Sequence, residues 1–290
     1  MNATKRARLF LILSMASFGT LAPFVRNIDL SSGELALYRA ILAALLIGSF
    51  LLVTRQNTGF RSLGKELYLL LFSGVAMGFN WILLFEAYKY TTVAIATLSY
   101  YFAPVIVTLI CPLLFHEKLS KKQILCFVMS TLGLSLVIGV TNPGSGGRDA
   151  IGIAFGLGAA VLYATVILLN KFIKGVTGIH RTFLQFLAAI VVLTPYVLLT
   201  GGRNPGSLDP TGWICLLVVG LVHTGVTYCL YFTSLKELSG QEAAILSYID
   251  PLVAVIIGVL ILKEPLIWQQ LVGGLLILGF TLLNELDTEK

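Results

Sequence analysis

The sequence predicts an all-α polytopic membrane protein, with ten transmembrane helices arranged as two inverted five-helix repeats. Three observations lead there. Of the 290 residues, 57% are apolar and 12% charged, with a mean hydropathy of +0.91, where a soluble domain carries about 25% charged residues. Ten apolar runs of spanning length follow one another along the chain. The second half also repeats the first in a fixed register. A soluble enzyme, a nucleic-acid-binding domain and a disordered chain are all excluded by that composition.

Each run reads as a helix because a helix closes its own backbone hydrogen bonds, which lipid cannot do for it. The runs fall at about 8–25, 35–54, 67–88, 92–115, 122–140, 151–170, 182–200, 212–233, 241–262 and 266–284. Lys5, Arg6 and Arg8 ahead of the first run resemble a signal-peptide start. No small-x-small cleavage site ends that run, which continues to Ala22-Pro23-Phe24, so it counts as the first span. The connections are short and leave no room for a soluble domain. The longest, Thr141–Ala150 (TNPGSGGRDA), lies at the middle of the chain and is rich in Gly and Pro. It divides a first five-helix repeat, 1–140, from a second, 151–290, with 141–150 as an extracytoplasmic linker.

Lys and Arg set the orientation. With the N-terminus inside, fourteen fall on the cytoplasmic side and five outside: Arg26, Lys89, Arg148, Arg203 and Lys263. The expectation is a multi-pass protein of the cell (inner) membrane with both termini cytoplasmic. The net charge of +6 is then a topology signal rather than a polyanion site. Cys111, Cys126, Cys215 and Cys229 lie in apolar runs without a CxxC and read as packing residues. His116, His180 and His223 are too scattered for a metal centre, and no nucleotide-binding loop is present. No cofactor and no metal is expected. The expected partners are the lipid bilayer and a small-molecule substrate, not nucleic acid, and the expected unit is a monomer.

An offset of 147 residues aligns the halves without a gap. Phe85, Lys89, Tyr101, Pro104, Glu117, Leu119 and Gln123 fall on Phe232, Lys236, Tyr248, Pro251, Glu264, Leu266 and Gln270. The segment LSYYFAP ending at Pro104 answers ILSYIDP ending at Pro251. Five helices per half is an odd number, so the halves insert with opposite orientation. Inverted repeats are a signature of secondary transporters, whose substrate site lies near mid-membrane between the halves.

These residues resemble a known family. Two five-helix repeats, Arg39 early in the second span, and a Pro followed thirteen residues later by Glu at Pro104/Glu117 and Pro251/Glu264 are similar to the drug/metabolite transporter superfamily, in its ten-helix EamA-type branch. The resemblance covers essentially the whole chain. It implies a ten-helix basket with a central cavity, and export of amino acids or other small metabolites. The related four-helix multidrug pumps use a Glu in their first helix; this chain has no acid between Leu9 and Val25, so that proton coupling is not carried over.

Ionisable groups inside a bilayer are costly and each needs a reason. Asp250 falls halfway along its run, about 13 Å from either end at 1.5 Å per residue. With Ala243, Ser247, Ala254 and Gly258 it makes one small, polar helix face. It reads either as an acid satisfied by a neighbouring helix or as a site for a substrate amine or a proton. His223 is also mid-run, with Thr227 on its face: a histidine satisfied by a hydroxyl, or a site residue. Arg39, one turn into its run, either snorkels outward or turns inward as a carboxylate clamp. Pro104 and Pro251 kink their helices and free the carbonyls of Tyr100 and Ser247, for curvature alone or to build a polar midplane site. Asn80, Trp81, Tyr100, Tyr101, Tyr163 and Tyr248 lie too deep for an interfacial belt and are candidate cavity residues. Glu34 and Glu86 read as solvated near the outer surface, and Glu117 and Glu264 as helix-cap or gate partners.

The reading these features favour is a secondary or facilitated exporter of amino acids or similar small metabolites. Uptake of a phosphorylated or sugar compound would want several basic residues in the spans, where only Arg39 qualifies. An intramembrane enzyme would have only Asp250 and His223 as its reacting pair, and would leave the repeat unexplained.

Overall fold

A computed structural model describes residues 3–55, 64–115, 121–138, 147–176, 178–201, 206, 208–234, 237–238, 246–247 and 249–285. Helices joined by short turns account for them, with no strand among the described residues. The elements are α1 (Ala3–Gly19), α2 (Leu21–Arg26), α3 (Ser32–Val53), α4 (Leu67–Tyr90), α5 (Val93–Tyr100), α6 (Ala103–Phe115) and α7 (Lys121–Ile138). After these come α8 (Arg148–Phe172), α9 (Gly178–Leu199), α10 (Pro210–Leu217), a π-helical segment (Val218–Val226), α11 (Thr227–Ser234), α12 (Ile249–Leu260) and α13 (Trp268–Glu285). Among the described residues, six helical stretches are long and apolar enough to cross a membrane: Ala3–Arg26, Ser32–Val53, Leu67–Tyr90, Arg148–Asn170, Gly178–Leu199 and Pro210–Ser234. Shorter apolar helices accompany them. Leu45, Leu52, Val53, Phe72, Val191, Leu198 and Leu199 stand exposed on the outside of the bundle, a surface that lipid covers and water does not. The chain is a polytopic membrane protein.

Local chemistry sets the helix ends. Ser31 caps α3, its Oγ accepting from the Glu34 N–H at 3.2 Å while Glu34 accepts from the Ser31 N–H at 2.9 Å. That reciprocal pair satisfies two of the four donors a helix start leaves open. Asp209 caps α10 through the Gly212 N–H at 2.7 Å, with Pro210 at the first helical position. One feature differs from a plain succession of kinked spans. The helix expected over 92–115 is broken in two at Tyr101–Phe102, just ahead of Pro104. A proline has no N–H to give the preceding turn, and the first turn is where that loss costs nothing. Pro104 therefore begins a helix, whereas Leu246 and Ser247, ahead of Pro251 and α12, are helical too. In the π-helical segment, Thr224 and Thr227 donate to the carbonyls five residues back, of Val219 and Val222, each at 2.8 Å.

Packing joins the first half to the second. The most extensive contacts pair α4 with α8, α7 with α13, α3 and α4 each with α9, and α3 with the π-helical segment. In the same way α1 lies on α11 and α12, and α5 and α6 lie on α8. Small residues let these backbones approach, as they do where lipid supplies no hydrophobic drive for association. A Cβ built on Gly74 of α4 would stand 2.6 Å from the Gln185 carbonyl of α9, and one on Gly133 of α7 2.6 Å from the Gly273 carbonyl of α13.

Gly133→Leu is therefore expected to drive α7 from α13 and to destabilise the fold by about 1–3 kcal/mol or more. Gly279→Leu, on the same α13 but with nothing within 4 Å of the added Cβ, is the matched control. Thermal unfolding in detergent should lower the melting temperature of the first and leave the second near wild type.

Candidate functional site

A cavity of about 510 Å³ lies inside the bundle, its wall drawn from α1–α6, α8, α9, α11 and α12. Three charged side chains line it: Arg39, Arg181 and Asp250. Arg39 rises from α3, 3% exposed, and its Nε donates to Thr224 Oγ1 at 2.6 Å. Its guanidinium carbon lies 4.6 Å from the Trp81 ring centroid and 5.5 Å from that of Phe85. Aromatic faces and one hydroxyl thus hold the charge, and among the described residues no carboxylate pairs with it. Among the described residues no acceptor meets the donors of its two Nη groups.

Asp250 is reached across the helix break. Tyr101, the first residue of the α5–α6 interruption, donates its hydroxyl to Asp250 Oδ2 at 2.7 Å. Around the pair stand Tyr88, Tyr100, Tyr163 and Tyr228, with Tyr100 and Tyr163 stacked at 5.2 Å and 27°. The wall therefore offers a cation, an anion and a set of aromatic faces to one enclosed space.

Of the residues singled out from sequence, Arg39, Trp81, Tyr100, Tyr101, Tyr163, Ser247, Asp250 and Pro104 line this cavity. Tyr248 and Glu117 lie outside the described residues. Asn80, His223, Thr227 and Pro251 are not on the wall. Asn80 spends its Nδ2 on the Ala159 carbonyl at 2.6 Å, tying α4 to α8. His223 meets Thr20 Oγ1 at 3.1 Å, and Thr227 shares a 2.9 Å hydrogen bond with Ser17 of α1. These polar groups satisfy themselves between helices, as buried polar groups in a membrane protein must. Glu34 is fully buried, so the expectation of a solvated residue is corrected: as the capping partner of Ser31 it is drawn under the start of α3. Glu86 does pair at the surface, with Lys89 at 3.0 Å.

Sequence reasoning missed Arg181, Asn170, Gln185, Tyr88 and Tyr228, all of which line the cavity. Arg181 was counted among the topology charges because it stands three residues into its helix. Polar Asn170 and Gln185 inside apolar runs were the signal available for that region.

Beyond Tyr88 the helices are tied together at one end of the bundle. Arg26 pairs with Glu264 at 2.6 Å and donates from its other Nη to the Tyr88 and Thr91 carbonyls at 3.2 and 3.1 Å. Glu264 in turn accepts from the Val93 N–H at 2.8 Å, capping α5. This one ion pair joins α2, the end of α4, the start of α5 and the turn after α12.

Comparison with known proteins bears on the family and the fold. The EamA-like transporter family matches the chain twice, over residues 5–139 and 150–285. An uncharacterized transporter of Bacillus subtilis (strain 168) is 30% identical over 85% of this chain and 79% of its own. A second, from Archaeoglobus fulgidus, is 30% identical over 94% of both. A solved crystal structure superposes with a TM-score of 0.64 over 97% of each chain at 16% identity, which speaks for the fold.

Arg26→Gln should loosen the tied end. In a background without the native cysteines, a cysteine placed at Leu84 on the cavity wall should react several-fold faster with a membrane-impermeant thiol reagent applied from that side. Arg148→Gln removes a long 3.5 Å contact to the Lys89 carbonyl and a 5.9 Å approach to the Tyr90 ring, neither of which touches the Arg26–Glu264 pair, and should leave the rate unchanged.

Proposed function

We propose that this chain, which belongs to the EamA-like transporter family, is a secondary or facilitated transporter that exports amino acids or similar small organic metabolites by alternating access. The observation that carries the substrate class is the cavity wall itself. Arg39 and Asp250 present opposite charges to one space, and among the described residues no ion pair joins them. Unpaired charge in a low-dielectric interior costs several kcal/mol. A zwitterion neutralises both at once: its carboxylate takes the free fork of Arg39 in the bidentate manner guanidinium favours, and its ammonium takes Asp250. The tyrosines and Trp81 are available to its apolar or cationic parts.

The ten-helix, inverted-repeat architecture is part of the same reading. Two separate family matches, one in each half, support a division into 1–140 and 151–290 around a linker at 141–150. The packing supports it as well, because α1 on α11 and α12 has its counterpart in α8 on α4 and α6. Alternating access then needs one end closed while the other opens, and the Arg26–Glu264 tie is a closed end. On the topology set by the basic residues that end is extracytoplasmic, both termini are cytoplasmic, and the membrane is the cell (inner) membrane. An intramembrane enzyme is the weaker reading: His223, its one candidate partner for Asp250, is bonded to Thr20 away from the cavity wall.

Asp250→Asn should abolish flux of amine-bearing substrates in proteoliposomes, at least tenfold, with protein level and melting temperature near wild type. Arg39→Lys should fail as well, because a point charge does not reproduce a bidentate fork. Wild-type flux by Asp250→Asn across a broad panel of amines would end this reading. A large fall in melting temperature for either single variant, partly restored in the double Arg39→Gln, Asp250→Asn variant, would make the pair structural.

A further inference from the structure

The export reading above uses one of the two guanidinium groups on the cavity wall. Arg181 is the other. Gly178, at a φ of +57°, turns the chain from α8 into α9 and delivers Arg181 in the first turn of the new helix. One Nη donates to the Asn170 carbonyl at 3.1 Å and to the Ile173 carbonyl at 3.5 Å, which finishes the end of α8. A guanidinium has five N–H donors. Those on Nε and on the second Nη meet no acceptor and no carboxylate among the described residues. Beside it, Asn170 is oriented by Gln185, whose Nε2 donates to Asn170 Oδ1 at 2.8 Å and to the buried Ser73 hydroxyl at 2.6 Å. The Asn170 amide nitrogen is left with donors that no described residue accepts. Unspent donors are gathered at one place on the wall, with no acid among them.

The distance from Arg39 decides what they do. Gly48 of α3 packs against Phe183 of α9, and Gly33 against Tyr196, so the two helices run antiparallel in a fixed register. Arg39 lies nine residues from the Gly48 level and Arg181 two residues beyond it on the other side. At 1.5 Å per residue their backbones are about 16 Å apart along the axis. A single small zwitterion does not span that gap, so Arg181 is not a second hand on a substrate already held by Arg39.

We infer that Arg181 and Asn170 form a separate carboxylate subsite at the end of the cavity opposite the Arg26–Glu264 tie, which captures the substrate's carboxylate before it moves on to Arg39. The chemistry required is that of a planar anion meeting a bidentate fork and an amide donor. A cation at a low-dielectric mouth also raises the local concentration of anionic groups there. On the proposed topology this mouth faces the cytoplasm, the side from which an exported compound enters. The wall's charges agree, two guanidinium groups to one carboxylate, since a carboxylate-bearing ligand visits each arginine in turn.

The test is sided kinetics in oriented proteoliposomes, with a neutral amino acid and its carboxamide as probes. The carboxamide keeps the ammonium and lacks the carboxylate. Arg181→Gln should raise the half-saturating concentration of the amino acid about tenfold from the Arg181 face, the loss of a charge-assisted hydrogen bond. From the other face the value should not move, and the carboxamide should not respond from either. Arg181→Lys keeps a donor for the Asn170 carbonyl and keeps the charge, so it serves if Arg181→Gln fails to accumulate. Losing only the fork, it should shift the same single value by a smaller factor. An equal shift at both faces, an equal shift for the carboxamide, or no shift overturns the subsite while leaving export standing. Absence of any amino-acid flux in the wild-type protein overturns the export reading and, with it, the ligand assigned here.

Discussion

An arginine buried away from water and without a carboxylate has to be held by everything around it, and Arg39 shows how. Its charge rests on the faces of Trp81 and Phe85 and on the hydroxyl of Thr224. Each of these is fixed by something else. Trp81 packs edge-on against Phe186 of α9, and Thr224 is turned by its own bond to the carbonyl five residues back in the π-helical segment. A π-helical stretch often marks a functional position because the extra residue per turn re-aims side chains. Here it points a hydroxyl at a guanidinium that an ordinary helix would present to a neighbouring apolar face.

Close helix contact makes that placement possible. Lipid tails are as apolar as leucine, so helices in a bilayer gain by fitting tightly and by sharing hydrogen bonds. Gly74, Gly133, Gly152 and Gly220 bring backbones together where any larger residue would collide. The cross-links Asn80 to Ala159, Gln185 to Ser73, and Thr227 to Ser17 then lock particular helices at particular heights. The cavity is what remains between helices fastened in this way. Its wall is interrupted where α6 starts anew at Pro104, beside Tyr101 and Asp250.

The two ends of the cavity are built differently. At one, opposite charges are spent on each other: Arg26 and Glu264 pair, and each also satisfies backbone groups of a third element. At the other, a guanidinium and an amide keep donors in reserve, and Glu66 uses its carboxylate on the Lys174 and Gly175 N–H groups instead of on Arg181. In the alternating-access reading proposed above, the end where charge is spent is the closed one and the end with unspent donors receives the ligand. That asymmetry then belongs to one conformation, and the same residues need not be paired in the other.

The amino-acid sequence alone determined the membrane class, the apolar runs, the repeat register and the candidacy of Arg39, Asp250 and the deep tyrosines. These are local properties: an apolar run long enough to cross lipid is visible in the run itself, and so is a charge inside it. It also marked Pro104 and Pro251, though as kinks, because a missing N–H disfavours a helix interior without saying whether the helix bends or stops. Only the tertiary structure decided which polar residues face the cavity. Asn80, His223 and Thr227 have the same credentials in sequence as Tyr100 or Ser247, yet each meets a partner on an adjacent helix at its own height. Glu34 is an ordinary acid near a helix start until its carboxylate folds back under the Ser31 cap. Arg181 is one more basic residue near a helix end until α8 and α9 pack so that its fork lines the cavity. A side chain's need for a partner is written in its chemistry, whereas the identity of that partner depends on which helix lies across from it at the same depth.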